Sequence, residues 1–397
     1  MKLDPVLKLS QEEWSIPEAL IALMQKINAE AGADLNDPAI LIVGGPVRNA
    51  VLGLPVHDWD LATKLRPQQV MACLQAAGIK VVPTGIEHGT VTVVLEGCSF
   101  EITTLRRDVE TDGRHADVEF TDAWEEDAKR RDFTMNTLLA DAGGRVYDPI
   151  GCGIEDAKAG RLRFVGDPEI RIKEDHLRIL RYFRFLAFYG QGEMDEKAMQ
   201  ACIANAGSLA QLSKERVTHE LLRLLEAESP LWILEILNEN NVLSGLFKAN
   251  TEQKEMEKLI ENESSLSVAQ PLARLLFFVG RENLEQLQSA LRLSKKQWVY
   301  LSRLKMALAS RDKVSEASMR EILYRYGRDV AQGWFLSLSG DQVQWQQLER
   351  MDVPVFPITG ALLIEQGQVA GPELGKKLKA MEAEWIDAGL PASFPLD

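Results

Sequence analysis

Apolar residues in the first part of the chain form short runs separated by turn residues. The run at residues 39–43 follows an Asp-Pro break and has the length of a buried strand, while residues 17–31 before it show helical spacing. Residues 91–95 and 99–103 are rich in β-branched side chains and are joined by three turn residues, a pattern typical of a hairpin. This part of the chain is therefore predicted to be a mixed α/β region.

The spacing of apolar residues changes near residue 168. From there on they recur every three or four positions, which is typical of amphipathic helices, and strand patterns are rare. The clearest predicted helices lie at residues 170–189, 213–226 and 230–240, with a final helix at 372–388 that we expect to dock on the helical body. The pattern thus predicts an α+β head followed by an all-helical remainder.

Length and charge narrow the class of protein further. With 397 residues, of which 46% are hydrophobic, the chain is long enough for two or three domains. It has no apolar run of membrane-spanning length and no signal-peptide pattern, so we expect a cytoplasmic protein with no membrane partner. A formal net charge of −14 argues against non-specific coating of nucleic acid. A local excess of positive charge between residues 161 and 184 still permits a basic groove.

A glycine turn follows the strand predicted at 39–43. Gly44 and Gly45 leave the backbone N–H groups uncovered, Pro46 suits the first turn of a helix, and Arg48 lies one turn into that helix. N–H groups at a helix start can bind a triphosphate together with an arginine. Taken alone, the same pattern is more often an ordinary tight turn.

Two aspartates, Asp58 and Asp60, follow shortly after this turn and are separated by one residue. On a strand, residues two apart point to the same face, so both carboxylates are predicted to bind one divalent cation or to bracket two. A two-metal site of this kind suits in-line phosphoryl transfer. Glu101, on the strand predicted at 99–103, is the candidate for a third acidic group. The upstream glycines favour this metal site over an exposed polar turn.

A first polar cluster further along the chain has side chains that can contact a nucleotide. Arg130 and Arg131 can hold phosphates, while Asp132 and Asn136 can hydrogen-bond a ribose hydroxyl. A charge cluster at the N-terminus of a helix explains this segment equally well when it is considered alone.

A second polar cluster lies on the helix predicted at 170–189. Glu174, Asp175 and Arg178 fall on one face of that helix and can hold one another rigid, with Arg181 close behind. A fixed carboxylate and guanidinium can pair with the edge of a nucleobase. Alone, the cluster is also consistent with a surface ion-pair network.

Taken together and in this order, these segments resemble the class II tRNA nucleotidyltransferases, or CCA-adding enzymes. The resemblance extends to the related bacterial poly(A) polymerases of the DNA polymerase beta nucleotidyltransferase superfamily. It covers about residues 40–225 and rests on five motifs. They are the catalytic motif (44–48 with 58–63), the sugar-recognition motif (130–136), the hinge (148–153), the nucleotide-selecting template (174–178) and the supporting neck helix (213–220).

The resemblance implies a head with a small mixed β-sheet of the nucleotidyltransferase type, followed by an all-α neck, body and tail. We place the head at residues 1–165, the neck at 166–230, and the body and tail at 231–397. The implied activity is addition of C, C and A to the 3′ end of tRNA from CTP and ATP. It releases pyrophosphate and uses no RNA template. The implied RNA partner is the acceptor arm of tRNA.

The resemblance also implies roles for the site residues. Asp58 and Asp60 would bind Mg²⁺ in a two-metal site, and Glu101 stays the candidate for a third catalytic acid. Asp175 and Arg178 would select CTP and then ATP, with Glu174 orienting Arg178. The other residues expected to contact the nucleotide are Gly44, Gly45, Arg48, Arg131, Asp132, Asn136 and Arg181.

Residues 106–117 resemble the flexible loop with which complete CCA-adding enzymes switch from C to A, and Gly113 and Arg114 lie at its centre. This loop disfavours an enzyme restricted to adding C. Two positions depart from the family pattern. Asn49 stands in place of Asp, which we expect to weaken the orientation of Arg48, and Thr137 stands in place of Ala.

Three other functions stay open at the level of the sequence. A poly(A) polymerase shares the motifs but would use ATP alone and accept diverse RNA ends, and the loop and the acidity of the chain disfavour it. No residue excludes an enzyme that adds only the terminal A. A non-enzymatic RNA-binding descendant is expected to lose one aspartate of the catalytic pair, and both are present.

Overall fold

The computed structural model of the protein describes residues 3–34, 36–112, 115–191 and 194–395, with the backbone alone between 108 and 118. The chain forms two compact units, Met1–Leu209 and Ala210–Asp397. The described residues of the first unit carry the β-sheets, and those of the second are helical or irregular. This confirms the predicted order of an α+β head and a helical remainder. The finer division at residues 165 and 230 stays a prediction.

Ten strands lie in the described part of the first unit. They are β1 (Leu7–Lys8), β2 (Ile40–Val43), β3 (Asp60–Thr63), β4 (Lys80–Gly85), β5 (Thr90–Leu95), β6 (Cys98–Thr104), β7 (Arg106–Asp112), β8 (His115–Phe120), β9 (Leu139–Ala140) and β10 (Arg145–Tyr147). Eight of them form one mixed sheet in the order β1-β10-β9-β2-β3-β6-β5-β4. In it β3 and β6 pair in parallel, and the other neighbours pair antiparallel. The hairpin predicted at 91–103 is confirmed as β5 and β6.

Helices of the first unit pack around this sheet or follow it. They are α1 (Glu18–Glu30), α2 (Gly45–Val51), α3 (Pro67–Ala76), α4 (Trp124–Lys129), α5 (Gly153–Lys158), α6 (Pro168–Glu174), α7 (Leu177–Tyr189) and α8 (Glu196–Ala204). The second unit contains α9 (Lys214–Leu225), α10 (Leu231–Glu239), α11 (Gln253–Leu266), α12 (Pro271–Val279), α13 (Gln286–Ala290), α14 (Lys295–Ser310), α15 (Glu316–Tyr326), α16 (Arg328–Leu338), α17 (Gln342–Arg350), α18 (Gly360–Glu365) and α19 (Pro372–Asp387).

The strand β2 lies in the interior of the main sheet, and all four of its residues are buried. Ile40 and Ile42 pack with α1 and α3 in one apolar cluster, while the alternate residues pack against Trp124 and Tyr147 in another. A strand covered on both faces has a continuous apolar sequence, as predicted at 39–43. The end of β2, where the glycine turn begins, is therefore held in a fixed position.

The helix predicted at 170–189 is instead two helices, α6 and α7, which meet at Asp175 and His176. Asp175 has extended backbone angles (φ −153°, ψ 105°), and its carboxylate accepts a hydrogen bond from the Leu177 N–H at 3.1 Å. Aspartate is a favoured residue at a helix start because its oxygen satisfies a free N–H of the first turn. Asp175 therefore begins a new helix rather than continuing α6.

The helical unit confirms the remaining predicted helices as α9, α10 and α19. The last of these docks on the helical body as expected. Trp385 of α19 is 1% exposed, and its ring lies edge to face with Tyr324 of α15, with 5.0 Å between ring centroids. In the part of the chain that the structure describes, no helix has the length and apolarity needed to cross a membrane.

Strands β7 and β8 occupy the segment that resembles a flexible loop. They pair antiparallel from Arg106 opposite Phe120 to Asp112 opposite His115. The structure thus has strands at most of the positions where the resemblance implied a loop. Gly113 and Arg114, at the centre of the segment, lie outside the described residues.

Candidate active site

The glycine turn joins β2 to α2 as predicted. Gly44 has a φ of 73° and precedes α2, which begins at Gly45 and has Pro46 in its first turn. A Cβ atom on Gly44 would lie 3.1 Å from Nη1 of Arg131. Glycine is needed here for two reasons, because its φ lies in the left-handed region and because the arginine approaches so closely.

The acidic residues Asp60 and Glu101 lie side by side on neighbouring strands. Asp60 is the first residue of β3, and it pairs with Glu101 in the parallel register of β3 and β6. Asp58 precedes the strand and is exposed. The prediction that both aspartates lie on one strand is therefore wrong, because residues 54–59 still form the irregular connection from α2 to the sheet.

The electrostatic environment of Asp60 opposes its charge. Burial raises the pKa of the Asp60 carboxyl, and the nearby charges of Glu101 and Asp58 raise it further, while Arg131 lowers it. Carboxylate oxygens are the ligands that Mg²⁺ prefers, and a divalent cation would relieve this repulsion. Among the described residues, no group of three or more His, Cys, Asp or Glu side chains is arranged to hold a metal ion. The acidic pair fits a cation, and the complete ligand set stays a prediction.

Arg48 points from α2 toward the cleft and is 5% exposed. Its Nη1 donates to Oδ1 of Asn136 at 2.5 Å, and its Nε and Nη2 donate to Oδ1 of Asn49 at 3.2 and 2.8 Å. Nη2 also donates to the hydroxyl of Tyr189 at 2.6 Å. Asn49 therefore contacts Arg48 directly, and the expectation that this departure from the family pattern weakens the orientation stays a prediction.

A buried carboxylate, Asp132, connects this arginine to α7. Its Oδ1 accepts from Nδ2 of Asn136 at 3.0 Å and from the Phe133 N–H at 2.8 Å, and its Oδ2 accepts from Nε of Arg181 at 2.8 Å. Burial by itself would raise the pKa of Asp132, but Arg181 and these hydrogen bonds outweigh it and lower the pKa to about 2. The predicted residues Asp132, Asn136 and Arg181 thus form one ionised network with Arg48.

Arg131 is held in place by Asp127 of α4. Nε and Nη2 of Arg131 donate to Oδ2 of Asp127 at 3.3 and 3.2 Å, and Arg130 donates to Oδ1 at 2.8 Å. Burial would raise the pKa of Asp127, which is 2% exposed, but the two arginines lower it. Asp127 was not anticipated from the sequence. Asp127 lies four residues before Arg131, and on a helix this spacing brings two side chains together, so the pair could have been recognised in the sequence.

Glu174 and Arg178 form the ion pair that the spacing predicted. Nη1 of Arg178 donates to Oε2 of Glu174 at 2.5 Å and to the backbone oxygen of Arg171 at 2.9 Å. Arg171, which was not anticipated from the sequence, donates to the same carboxylate at 2.7 Å. Nη2 of Arg178 donates to the backbone oxygen of Arg130 at 3.3 Å. Arg178 of α7 is therefore fixed by both the preceding helix α6 and the sugar-recognition segment.

The positive charges between residues 161 and 184 are largely engaged in ion pairs within the first unit. Arg161 and Arg163 both bind the fully buried Asp156, at 3.2 and 2.7 Å. Arg171, Arg178 and Arg181 bind the carboxylates described above. The predicted local excess of charge thus stabilises this unit and borders the cleft.

One cleft with a volume of about 400 Å³ brings most of the predicted residues together. Its lining residues are Val43, Gly44, Gly45, Arg48, Asp60, Arg131, Asp132, Asn136, Asp175, Arg178, Arg181 and Phe185. Three predicted residues, Asp58, Glu101 and Glu174, do not line it, although the last two contact or pair with residues that do. Phe185 was not anticipated from the sequence. It follows Arg181 by one helical turn, a spacing that places both on one face of α7.

Comparison with known protein families agrees with this site. The model described as the poly A polymerase head domain matches residues 40–163, and that described as the probable RNA and SrmB-binding site of polymerase A matches residues 193–254. A glycine turn, an acidic pair on a mixed sheet and an arginine-lined cleft, in a head of this family, define a nucleotidyltransferase.

Comparison with individual proteins narrows this class. CCA tRNA nucleotidyltransferase 1, mitochondrial, of Danio rerio is 33% identical, over 88% of this chain and 84% of the relative. The CCA-adding enzyme of Lacticaseibacillus paracasei is 32% identical, over 97% of this chain and 95% of that relative. The crystal structure of the Bacillus stearothermophilus CCA-adding enzyme in complex with CTP matches with a TM-score of 0.75 and 28% sequence identity. The match covers 94% of this chain and 93% of that chain. The chain therefore belongs to the family of the CCA-adding tRNA nucleotidyltransferases.

Proposed function

We propose that this protein adds C, C and A to the 3′ end of tRNA, using CTP and ATP, without an RNA template and with release of pyrophosphate. The observation that carries the proposal is the cleft itself. It joins the glycine turn and Asp60 of the head to Asp175 and Arg178 at the junction of α6 and α7. Groups suited to binding a triphosphate and groups suited to selecting a base therefore border one space of about 400 Å³, which is within the usual range for small-molecule sites.

The triphosphate would lie against the glycine turn. Gly44 and Gly45 line the cleft there, with the Gly44 N–H donating to the backbone oxygen of Leu138 at 2.9 Å, and Arg48 and Arg131 border the same space. Guanidinium groups form charge-assisted hydrogen bonds with phosphate oxygens. Asp132 and Asn136 would contact the ribose or the phosphates, and Arg181 holds Asp132 in its ionised form.

Asp58 and Asp60, with Glu101 beside them, would hold Mg²⁺. When bound, Mg²⁺ lowers the pKa of the attacking 3′-hydroxyl and offsets charge at the α-phosphate. The protein contributes the position of these carboxylates, since the paired strands β3 and β6 fix Asp60 next to Glu101. The terminal 3′-hydroxyl of the tRNA attacks the α-phosphate, the bond to the β-phosphate oxygen breaks, and pyrophosphate leaves.

Asp175 and Arg178 would select the base. Glu174 and the backbone oxygens of Arg171 and Arg130 hold the guanidinium of Arg178 from three directions. A group held in this way presents its remaining donors in a constant direction, which hydrogen bonding to a base edge requires. The tRNA itself would be recognised through backbone shape and 2′-hydroxyls.

The test offers three RNAs to the purified protein with Mg²⁺, and supplies CTP and ATP separately. The RNAs are a tRNA that lacks the whole CCA end, a tRNA that ends in CC, and an unrelated RNA of similar length. We expect CTP to extend the first by two nucleotides, ATP to extend the second by one, and the unrelated RNA to stay unchanged.

Other outcomes would overturn the proposal and identify an alternative. Repeated addition of A to the unrelated RNA would identify a poly(A) polymerase. Extension of only the tRNA that ends in CC would identify an enzyme that adds the terminal A alone. Binding of tRNA without any extension would identify a non-enzymatic RNA-binding descendant.

A further inference from the structure

The acceptors around the Arg48 guanidinium share one property, which is that they are uncharged. The Arg48 guanidinium donates hydrogen bonds to the amide oxygens of Asn49 and Asn136 and to the hydroxyl of Tyr189. A guanidinium has five N–H donors, and four donor contacts to these neutral groups are present. Arg48 thus has fixed geometry, and in the described part of the chain its direct hydrogen-bond partners do not include a carboxylate.

Tyr189 contacts Arg48 in two ways. Its hydroxyl accepts from Nη2 at 2.6 Å, and its ring lies against the guanidinium, with 4.1 Å from Cζ to the ring centroid. The same hydroxyl lies 3.3 Å from Oδ1 of Asn49 and donates to it. Phe185, one turn earlier on α7, places a second ring 5.2 Å from the same Cζ atom.

We propose that Tyr189 and Asn49 are positioning residues that hold Arg48 over the cleft and, because both are neutral, leave its positive charge available to the polyphosphate of the nucleotide. This inference rests on the proposed function and goes beyond it. It assigns a role to two residues that do not line the cleft and concerns how tightly the protein binds the polyphosphate.

The physical basis is the difference between an amide and a carboxylate acceptor. A carboxylate at hydrogen-bond distance would orient the guanidinium equally well but would cancel much of its field at the cleft. An amide oxygen and a phenol orient it through hydrogen bonds and leave the net charge in place. Low exposure strengthens the effect, since the interaction of a partly desolvated charge with a phosphate is less weakened by water.

One face of α7 carries the two residues that fix Asp132 and Arg48 in their hydrogen-bond network. Tyr189 lies eight residues after Arg181, so the two side chains are about two turns apart on one face, with Phe185 between them. Arg181 fixes Asp132, and Tyr189 fixes Arg48. The position of the polyphosphate-binding arginine is therefore set by the same helix that carries Arg178.

The first test is Tyr189→Phe, which keeps the ring and removes the hydroxyl. We expect the dissociation constant of CTP, measured by calorimetry without tRNA, to rise about tenfold, while that of CMP, which lacks the outer phosphates, stays unchanged. In the extension assay the KM values for CTP and ATP should rise equally and the choice between the two should be retained.

The matched control is Tyr182→Phe on the same helix. The buried hydroxyl of Tyr182 has no hydrogen-bond partner among the described residues, so its removal should leave CTP binding unchanged. An equal loss in both variants, or a loss of CMP binding that matches the loss of CTP binding, would overturn the positioning role, since either result indicates a general effect on folding.

The second test is Asn49→Asp, which keeps an acceptor next to Arg48 and adds a negative charge. We expect weaker CTP binding by several-fold, unchanged CMP binding and an unchanged melting temperature. CTP binding equal to or tighter than that of the wild type would overturn the role of neutral acceptors. Failure of the proposed function is a separate result, because it would appear as absent tRNA extension by the wild type whatever these variants bind.

Discussion

Two deeply buried arginines, one in each unit of the molecule, have opposite kinds of hydrogen-bond partners. In the helical unit, Glu263 and Arg274 are 0% and 2% exposed and pair at 2.7 Å. Arg274 also donates to the backbone oxygens of Leu225 and Ala227, at 2.7 and 2.5 Å, near the end of α9. In the first unit, Arg48 is almost as deeply buried, but its acceptors are neutral and it borders the cleft.

The difference separates structural charge from functional charge. A buried ion pair whose members satisfy each other and nearby backbone oxygens contributes to the packing of the fold and leaves nothing for a ligand. A buried charge whose partners are neutral, next to a cleft, keeps an attraction for an oppositely charged ligand. Burial alone therefore does not identify a functional charge. Two further properties decide, which are whether its hydrogen-bond partners are charged and whether it borders a cleft.

The largest effect on the cleft is expected for Asp60→Ala. Incorporation of both CTP and ATP should fall at least about a thousandfold, because a metal site supplies several kcal/mol of transition-state stabilisation. Asp60 is exposed at the start of β3 and its pKa is raised, so its charge adds no stability to the fold at neutral pH. The variant should therefore be no less stable than the wild type in urea unfolding.

The matched control for this variant is Glu87→Ala, which removes an exposed carboxylate that does not line the cleft. It should leave incorporation unchanged. Retained activity in Asp60→Ala would contradict the assignment of the acidic pair, whereas loss of activity together with loss of stability would place Asp60 among the structural charges.

Arg274→Ala tests the other side of the comparison. Removal of one partner from a buried pair leaves Glu263 charged and unpaired, so the free energy of unfolding should fall by about 3 kcal/mol or more. Arg48→Ala is the matched variant in the first unit. It leaves only neutral acceptors next to a cleft open to water, and should cost less than about 1 kcal/mol. Similar losses in the two variants, measured by urea unfolding, would contradict the distinction.

Asp132→Asn lies between these cases, since Asp132 is both buried and part of the cleft. Its pKa of about 2 is below that of an unfolded aspartate, so its ionised form stabilises the fold by about 2 kcal/mol above pH 4 or so. This stability is lost as the pH falls through the folded pKa. The difference in unfolding free energy between wild type and variant should have its largest value at neutral pH and decrease toward pH 2. A difference that does not depend on pH would rule out the ion pair as its source.

Local patterns explain how much of the molecule could be predicted. The strand at 39–43 and the Gly44-Gly45 turn depend on neighbouring residues, and so does the pair Glu174 and Arg178, although this pair spans the junction of α6 and α7 rather than one continuous helix. These features are visible in a single sequence, and the structure confirms them.

Features that depend on tertiary contact could not be predicted in this way. Tyr189 and Arg48 are 141 positions apart, and no periodicity relates them. The break at Asp175 was missed for a different reason, because no Gly or Pro marks it and aspartate is tolerated within a helix. The position of Asp58 outside β3 depends on where the pairing with β2 and β6 begins, which a single strand pattern does not contain.

The most direct test of the central claim, that one cleft both binds the triphosphate and selects the base, is the ratio of ATP to CTP incorporation by Arg178→Ala. The substrate is a tRNA that ends in CC, with the two nucleotides in competition. We expect the preference of the wild type for ATP to fall by about tenfold or more, as for loss of one base-specific contact, while binding of inorganic triphosphate, which has no base, is kept. A wild-type ratio in this variant would contradict the claim.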